Sequence, residues 1–399
     1  MKWLKTKTFV TLILCLGFLT NQASAVDLAH RAKAQKQIDK GVAFLRGRQT
    51  ADGSWSNASG PAVTALILTG VMDAPGVKRD DPMIVNGLKY IVSQVKYTAE
   101  GKFDGIHGGA LKNYSTSLCL MALSRVKHDA KIAKLVKQCR VYLHGLQWQV
   151  GMIDPQGNKV TKDHPYYGGV GYGKHGRPDL SNTQLMIEAL YESGSTKEDP
   201  AFARAMVFVQ RLQGRTKANG HRMIVRGKHL MPNDGGMIYA TSVNKTKIGE
   251  PESKAGFEVQ QTENGPVTRL RSYGSMTYAG FKSYLYARLK KNDPRVTDAL
   301  KWIKGHYTLK ANPGLPKDQE LQGHFYYLMT VTKALKAWGS EELVLKNGMK
   351  HNWAHDVIDQ FHSMQKADGS WENKASRWME NDPNLVTGYG VLCLTHIIK

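Results

Sequence analysis

Acidic residues are scarce in this chain of 399 residues: 33 Asp and Glu stand against 55 Lys and Arg, a net charge of +22. A surface this basic suits an anionic membrane surface or an acidic polymer. No nucleic-acid-binding motif accompanies the charge, so nucleic acid is not an expected partner. Cysteine is nearly absent. Cys119, Cys139 and Cys393 are the three that follow the first 25 residues, an odd number with no C-x-x-C spacing. That excludes a disulfide framework and a cysteine-rich zinc site. Cys119 and Cys393 sit in apolar stretches and read as small core residues. Beyond residue 25 there is also no apolar run of the roughly 20 residues that a membrane-spanning helix needs.

The first 25 residues carry a different signal. Lys2, Lys5 and Lys7 precede an apolar stretch from Phe9 to Leu19, which ends at Ala23-Ser24-Ala25. This is the pattern of a secretory signal peptide with cleavage after Ala25, and it predicts an exported product, periplasmic or secreted. Cys15 follows Leu14 rather than a small residue, so lipidation is not expected. Residues 26–399 then form a single domain, and with 41% hydrophobic residues in the whole chain they can bury a large core.

The organisation shows when two distant segments are laid together: Gln49-Thr50-Ala51-Asp52-Gly53-Ser54-Trp55 and Gln365-Lys366-Ala367-Asp368-Gly369-Ser370-Trp371. Each follows one helical pattern (Ile38 to Arg46; Val357 to Met364) and precedes another (Ala62 to Leu68; Leu385 to Ile398). Each is therefore the turn of a helix hairpin. Degenerate copies start at Gln94, Gln147, Gln210 and His306, which gives about six hairpins. Glycine pairs at 108–109, 168–169 and 235–236 mark loops feeding second helices. First helices mix charged and apolar residues and suit an outer layer; second helices, such as Leu118 to Leu123 and Phe325 to Leu335, are more apolar and suit an inner one. The sharpest copies lie at the two ends, which favours a closed ring over an open stack with capping repeats. Residues 242–271 are polar, lack helical periodicity and read as an insertion at one rim.

The two Gln-x-x-Asp-Gly-Ser-Trp segments resemble the repeat of squalene and hopene cyclases, within the wider group that includes protein prenyltransferase beta subunits. Gly168-Gly169-Val170-Gly171-Tyr172-Gly173 with Arg177 to Gln184, Gly323-His324-Phe325-Tyr326-Tyr327, and Asp382 to Tyr389 resemble loops and inner-helix starts of the same proteins. The resemblance spans nearly all of residues 26–399. It implies an all-α, single (α/α)6 toroid in which the glutamine amide caps neighbouring backbone and the tryptophan stacks over the next unit. Fold and reaction are separate questions, because one fold hosts several chemistries.

The catalytic signatures of those relatives are missing. There is no D-x-D-D acid motif; the nearest match, Lys78-Arg79-Asp80-Asp81-Pro82, reads as a helix start with its cap. There is no Asp-x-Cys zinc pair either, since Asp179-Leu180 leads to Ser181. No metal and no cofactor are expected. What remains is a cavity ringed by residues at inner-helix starts. Asp179, Asp382 and His324 are the candidate acid or base groups, and Tyr172, Asp234, Tyr326, Tyr327 and Tyr389 the candidate substrate-binding groups, with Asp104 also near the rim. Two main readings follow: a terpene-cyclase-like or prenyltransferase-like enzyme on an isoprenoid lipid, or a non-catalytic toroid that binds an isoprenoid, another apolar lipid or a protein. A third, a glycan-active (α/α)6 enzyme, needs paired carboxylates across an open polar groove.

Overall fold

The computed structural model describes residues 26–109, 111–215, 229–263 and 265–399, so the expected leader lies outside the described residues. Among the described residues, twelve α-helices alternate between two concentric layers. The outer layer holds α1 (Leu28–Arg48), α3 (Pro82–Ser93), α5 (Ala130–Leu146), α7 (Pro200–Arg211), α9 (Pro294–His306) and α11 (Trp353–Met364). The inner layer holds α2 (Ala62–Val71), α4 (Lys112–Ser124), α6 (Leu180–Glu192), α8 (Gly274–Tyr286), α10 (His324–Trp338) and α12 (Pro383–Ile398). Each inner helix packs on the next, and α12 packs on α2 and α1, so the ring is closed and the fold is an (α/α)6 toroid.

Local chemistry sets where the helices begin. All six outer helices start at a side-chain cap, namely Asp27, Asp81, Asp129, Asp199, Asp293 and Asn352, and α3, α7 and α9 add a proline in the first turn. Such caps satisfy amide groups that the helix itself leaves unpaired. Layer follows from apolar content. Every residue of α2 is buried, whereas α1 buries one stripe that includes Ile38, Val42 and Leu45.

The repeat is held by a clasp found in four units. The side-chain amide of Gln49 donates to the carbonyls of Gly53 and Met83, each at 2.9 Å. Gln147 makes the same pair of bonds to Gly168 and Ala201, Gln213 to Gly235 and Arg295, and Gln365 to Gly369 and Gln37. One bond closes the turn, and the other reaches the first turns of the next outer helix. The glycines are required there: all four have φ between 82° and 88°, and a Cβ at Gly53, Gly235 or Gly369 would lie 2.4 Å from a carbonyl oxygen of the next outer helix. In the fourth unit the clasp glutamine is Gln213, one turn beyond the expected Gln210. Gln94 donates instead to its neighbour Ser93.

A second repeated bond joins each turn to its own inner helix. The hydroxyls of Thr64, Thr116, Thr183, Thr277 and Thr387 accept from the backbone N–H of Trp55, Ile106, Val170, Met237 and Trp371, at 3.0–3.2 Å. The two indoles are fully buried and donate to Leu45 and Phe361, so each tryptophan ties its turn to its own outer helix. Trp371 also lies against Gly41 of α1, the next unit round the ring.

Between α7 and α8 the chain leaves the helical pattern. β3 (His229–Leu230) pairs parallel with β5 (Gly265–Leu270), which pairs antiparallel with β4 (Phe257–Thr262). Among the described residues, 212–215 and 229–273 carry no helix, a stretch that extends beyond residues 242–271.

Candidate functional site

The six inner helices all begin at the same end of the ring, and their first turns surround a cavity of about 240 Å³. Its deeper wall is apolar, with Leu66, Leu118, Leu185, Met276 and Met329. Its mouth is tyrosine-rich: Tyr114, Tyr172, Tyr239, Tyr273, Tyr326 and Tyr389 all line it. Trp378 and Met379 complete the rim from a short loop in which both adopt left-handed backbone, with φ of 58° and 66°. No Asp, Glu, Lys, Arg or His is among the described residues that line this cavity.

The hydroxyls at the mouth are linked to one another. Tyr114 bonds Ser181, Ser181 lies 3.4 Å from the Tyr326 hydroxyl, and the Gln184 amide donates to Tyr326 at 3.1 Å. Tyr114 stacks on Tyr172 with ring centroids 5.8 Å apart. The Tyr239 ring comes from the irregular segment before α8, and Arg177 and Lys254 stand over it at 5.3 and 4.9 Å. Both cations pair with Glu252, so the insertion builds part of the mouth.

Asp179 is wholly buried just behind this ring of hydroxyls. It caps α6 by accepting from the Asn182 backbone N–H at 2.8 Å, and the Asn182 amide donates to both of its oxygens. The Tyr239 side chain stands close to the carboxylate, and the Tyr172 side chain close to Tyr239. Burial pushes the Asp179 carboxyl above the ordinary aspartate range, against the Asn182 bonds and the charge of Arg177. Asp179 itself is not on the cavity wall, whereas both tyrosines are.

The other sequence candidates separate. Tyr172, Tyr326 and Tyr389 line the cavity. Tyr327 does not: its ring is buried between the layers and its hydroxyl donates to the Thr308 carbonyl at 2.7 Å. His324 lies beside it, 2.7 Å from the Leu309 carbonyl, and burial lowers its pKa. Both hold the loop that leads into α10. Asp382 caps α12 through the Asn384 N–H at 2.9 Å and stays off the cavity wall. Asp234 is on a different surface, where it accepts from Gly236, Ser272 and the Trp302 indole. Asp104 pairs with Lys112 at 2.8 Å, also off the wall. Tyr114, Tyr239 and Tyr273 were not among the sequence candidates; their only sequence signal is the aromatic count near inner-helix starts.

Two buried charge systems flank the cavity. Beneath its floor, Glu188 binds both Lys282 and Lys333, all three almost wholly buried. Lys333 also pairs with Glu192 at 3.0 Å, and Arg125 links Glu192 to Asp73. Beside the mouth, Glu380 is 1% exposed and accepts from the N–H groups of Phe325 and Tyr326 and from the Asn373 amide. Burial pushes its carboxyl up to about 7.

No protein-family model matches the sequence, and no curated protein matches it. Solved structures of the same fold do. The apo form of the type II terpene cyclase MstE from Scytonema superposes with a TM-score of 0.51 at 11% identity, over 92% of this chain and 98% of that one. A D-mannose isomerase gives a TM-score of 0.53 at 11% identity over 94% and 98% of the two chains. A family 76 glycoside hydrolase from a bovine Bacteroides thetaiotaomicron strain gives 0.54 at 10% identity over 93% and 78%. At such identities the likeness establishes the (α/α)6 toroid and leaves the chemistry to the site.

Proposed function

We propose that this protein is an exported toroid that binds an uncharged, isoprenoid-type lipid in its central cavity without transforming it. The observation that carries this reading is the cavity wall: aliphatic at depth, rich in tyrosine hydroxyls at the mouth, and free of ionisable acids and bases other than tyrosine among the described residues. An apolar chain gains by leaving water for the Leu and Met surface, and a terminal hydroxyl or carbonyl finds partners in the tyrosine ring. A charged ligand would have nothing opposite in sign to meet there. The type II terpene cyclase of the same fold was captured with geranylgeranyl dihydroxybenzoate, which supports the isoprenoid tail of such a ligand and not its head group. The glycan reading fares worse, because no pair of carboxylates faces across this cavity.

One observation favours a second reading. Asp179 lies beside Tyr239, Tyr239 lies beside Tyr172, and both tyrosines line the cavity. A proton held on Asp179 could pass to a substrate through this chain, making the protein an acid-catalysed cyclase or isomerase.

Native mass spectrometry with lipid extraction separates the two. The 26–399 protein purified from its own host is compared with Asp179→Asn and Tyr239→Phe. Binding without conversion predicts the same unchanged lipid on all three. A lipid converted by the wild type and retained unaltered by Asp179→Asn establishes the second reading. Cavities empty in all three forms, with no uptake of added geranylgeraniol, would overturn both.

A further inference from the structure

The ring closes where α1 meets α11, and two histidines and two aspartates meet at that seam. Asp27 caps α1 and His30 lies in its first turn; His355 and Asp359 are one turn apart on α11. The His30 and His355 rings are stacked, centroids 3.8 Å apart and 2° from parallel. Nδ1 of His30 is 3.0 Å from both carboxylate oxygens of Asp27. Nε2 of His355 is 3.7 Å from Asp27 Oδ2, and Nε2 of His30 is 3.6 Å from Asp359 Oδ2. One candidate ligand atom from each of Asp27, His30 and His355 lies within 4.8 Å of the others. Lys33 holds the other oxygen of Asp359 at 2.6 Å, leaving Oδ2 turned toward His30.

We propose that this seam is a binding site for a divalent transition metal, zinc first among them, with Asp27, His30 (through Nδ1) and His355 as protein ligands, water completing a tetrahedron, and Asp359 facing the other ring nitrogen of His30. Zinc with bonds of about 2.0–2.2 Å needs ligand atoms about 3.3 Å apart, so side-chain rotations of half-buried and exposed groups suffice to contract the cluster. Two imidazoles with carboxylates select zinc, nickel, cobalt or copper over calcium and magnesium, which prefer all-oxygen shells. The backbone N–H of Asp27 donates to His355 Nε2 at a long 3.4 Å, so that nitrogen carries no proton of its own and a metal would take over the lone pair from this weak bond. The ligands come from residues 328 positions apart, so the site exists only when the ring is closed. Metal bound there pins the first outer helix to the last and adds its binding free energy to the closed state.

The test uses the 26–399 protein freed of metal with chelator, then titrated with ZnCl₂ by calorimetry and melted with and without the metal. The expected result is one zinc per chain and a Tm that rises with zinc. In His30→Gln and His355→Ala the affinity falls at least ~10-fold and the zinc-dependent rise in Tm disappears. His128→Ala, at an exposed histidine elsewhere, behaves as wild type. Melts in chelator confirm that each variant is folded before titration. Absence of stoichiometric binding by the wild type, or binding undiminished when both His30 and His355 are replaced, would overturn the site.

Discussion

The side-chain amide of Gln365 donates to the backbone carbonyl of Gln37, 2.9 Å away and 328 residues earlier in the chain. The same amide closes its own turn on Gly369. One side chain thus completes a local turn and joins the last unit to the first, as Gln49, Gln147 and Gln213 do between consecutive units.

Removing a clasp takes the side-chain donor from the turn carbonyl and the second donor from a helical carbonyl of the next unit. Gln147→Ala, at a fully buried position, is expected to lower unfolding free energy by about 2–4 kcal/mol, and Gln365→Ala by somewhat less because that site is half-buried. Gln94→Ala, in the unit whose glutamine bonds only Ser93, is expected to stay within about 0.5 kcal/mol of wild type. Denaturant unfolding of the three variants checks the ranking, and an equal loss in Gln94→Ala and Gln147→Ala would refute it.

The clasp glycines separate strain from crowding. Gly76 and Gly369 have nearly the same φ, 85° and 88°, but a Cβ meets nothing within 4 Å at Gly76 and lies 2.4 Å from the Lys40 carbonyl oxygen at Gly369. Gly76→Ala should cost about 1–2 kcal/mol, the left-handed penalty alone. Gly369→Ala should cost clearly more and loosen the α1 seam, visible as faster amide hydrogen exchange in α1.

The charge system under the cavity predicts an asymmetry. Glu188→Leu strands the buried Lys282 and leaves Lys333 with Glu192 alone, and should cost about 3–5 kcal/mol or prevent folding. Replacing Glu188, Lys282 and Lys333 together by Leu and Met should recover most of that loss. A triple variant no more stable than the single one would show that the ion pairs themselves, rather than the orphaned charges, carry the effect.

Glu380 gives a pH dependence with a definite sign. Its folded-state pKa is about 7, against 4.5 when unperturbed, so the folded protein holds this proton more tightly than the unfolded chain. The stability from this group is complete below about 4.5 and is lost as pH rises through 7, a change of about 3 kcal/mol. Glu380→Gln removes the titration. The stability difference between wild type and Glu380→Gln should therefore shift against wild type from pH 5 to pH 8; a difference constant with pH would contradict the assignment.

Much of the fold was legible because its clasps are local. Gln-x-x-Asp-Gly-Ser-Trp places an amide, a left-handed glycine and an indole within seven residues, and the turn that they build is the same wherever the segment occurs. The fourth unit was harder, since Gln210 and Gln213 lie one helical turn apart and only the bond to Gly235 distinguishes them. The threonine bonds escaped notice because a single hydroxyl near a helix start is common in any sequence. The site was less legible for a geometric reason. Successive helical residues point about 100° apart, so Tyr326 enters the cavity while Tyr327 turns to the outer layer. Tyr239 and Tyr273 reach the mouth from the long irregular segment and its end, whose path no periodicity marks. The seam of His30 and His355 required the ring to close before it existed at all.

The central claim is that the cavity takes an apolar isoprenoid, and filling the cavity tests it most directly. Leu185→Trp places an indole in the deep apolar wall, away from the mouth hydroxyls and from Asp179. Binding of geranylgeraniol by wild type and by a correctly folded Leu185→Trp is measured by native mass spectrometry. The account predicts a one-to-one complex with wild type and at least ~10-fold weaker binding by the variant. Equal binding by both would place the lipid elsewhere and contradict the account.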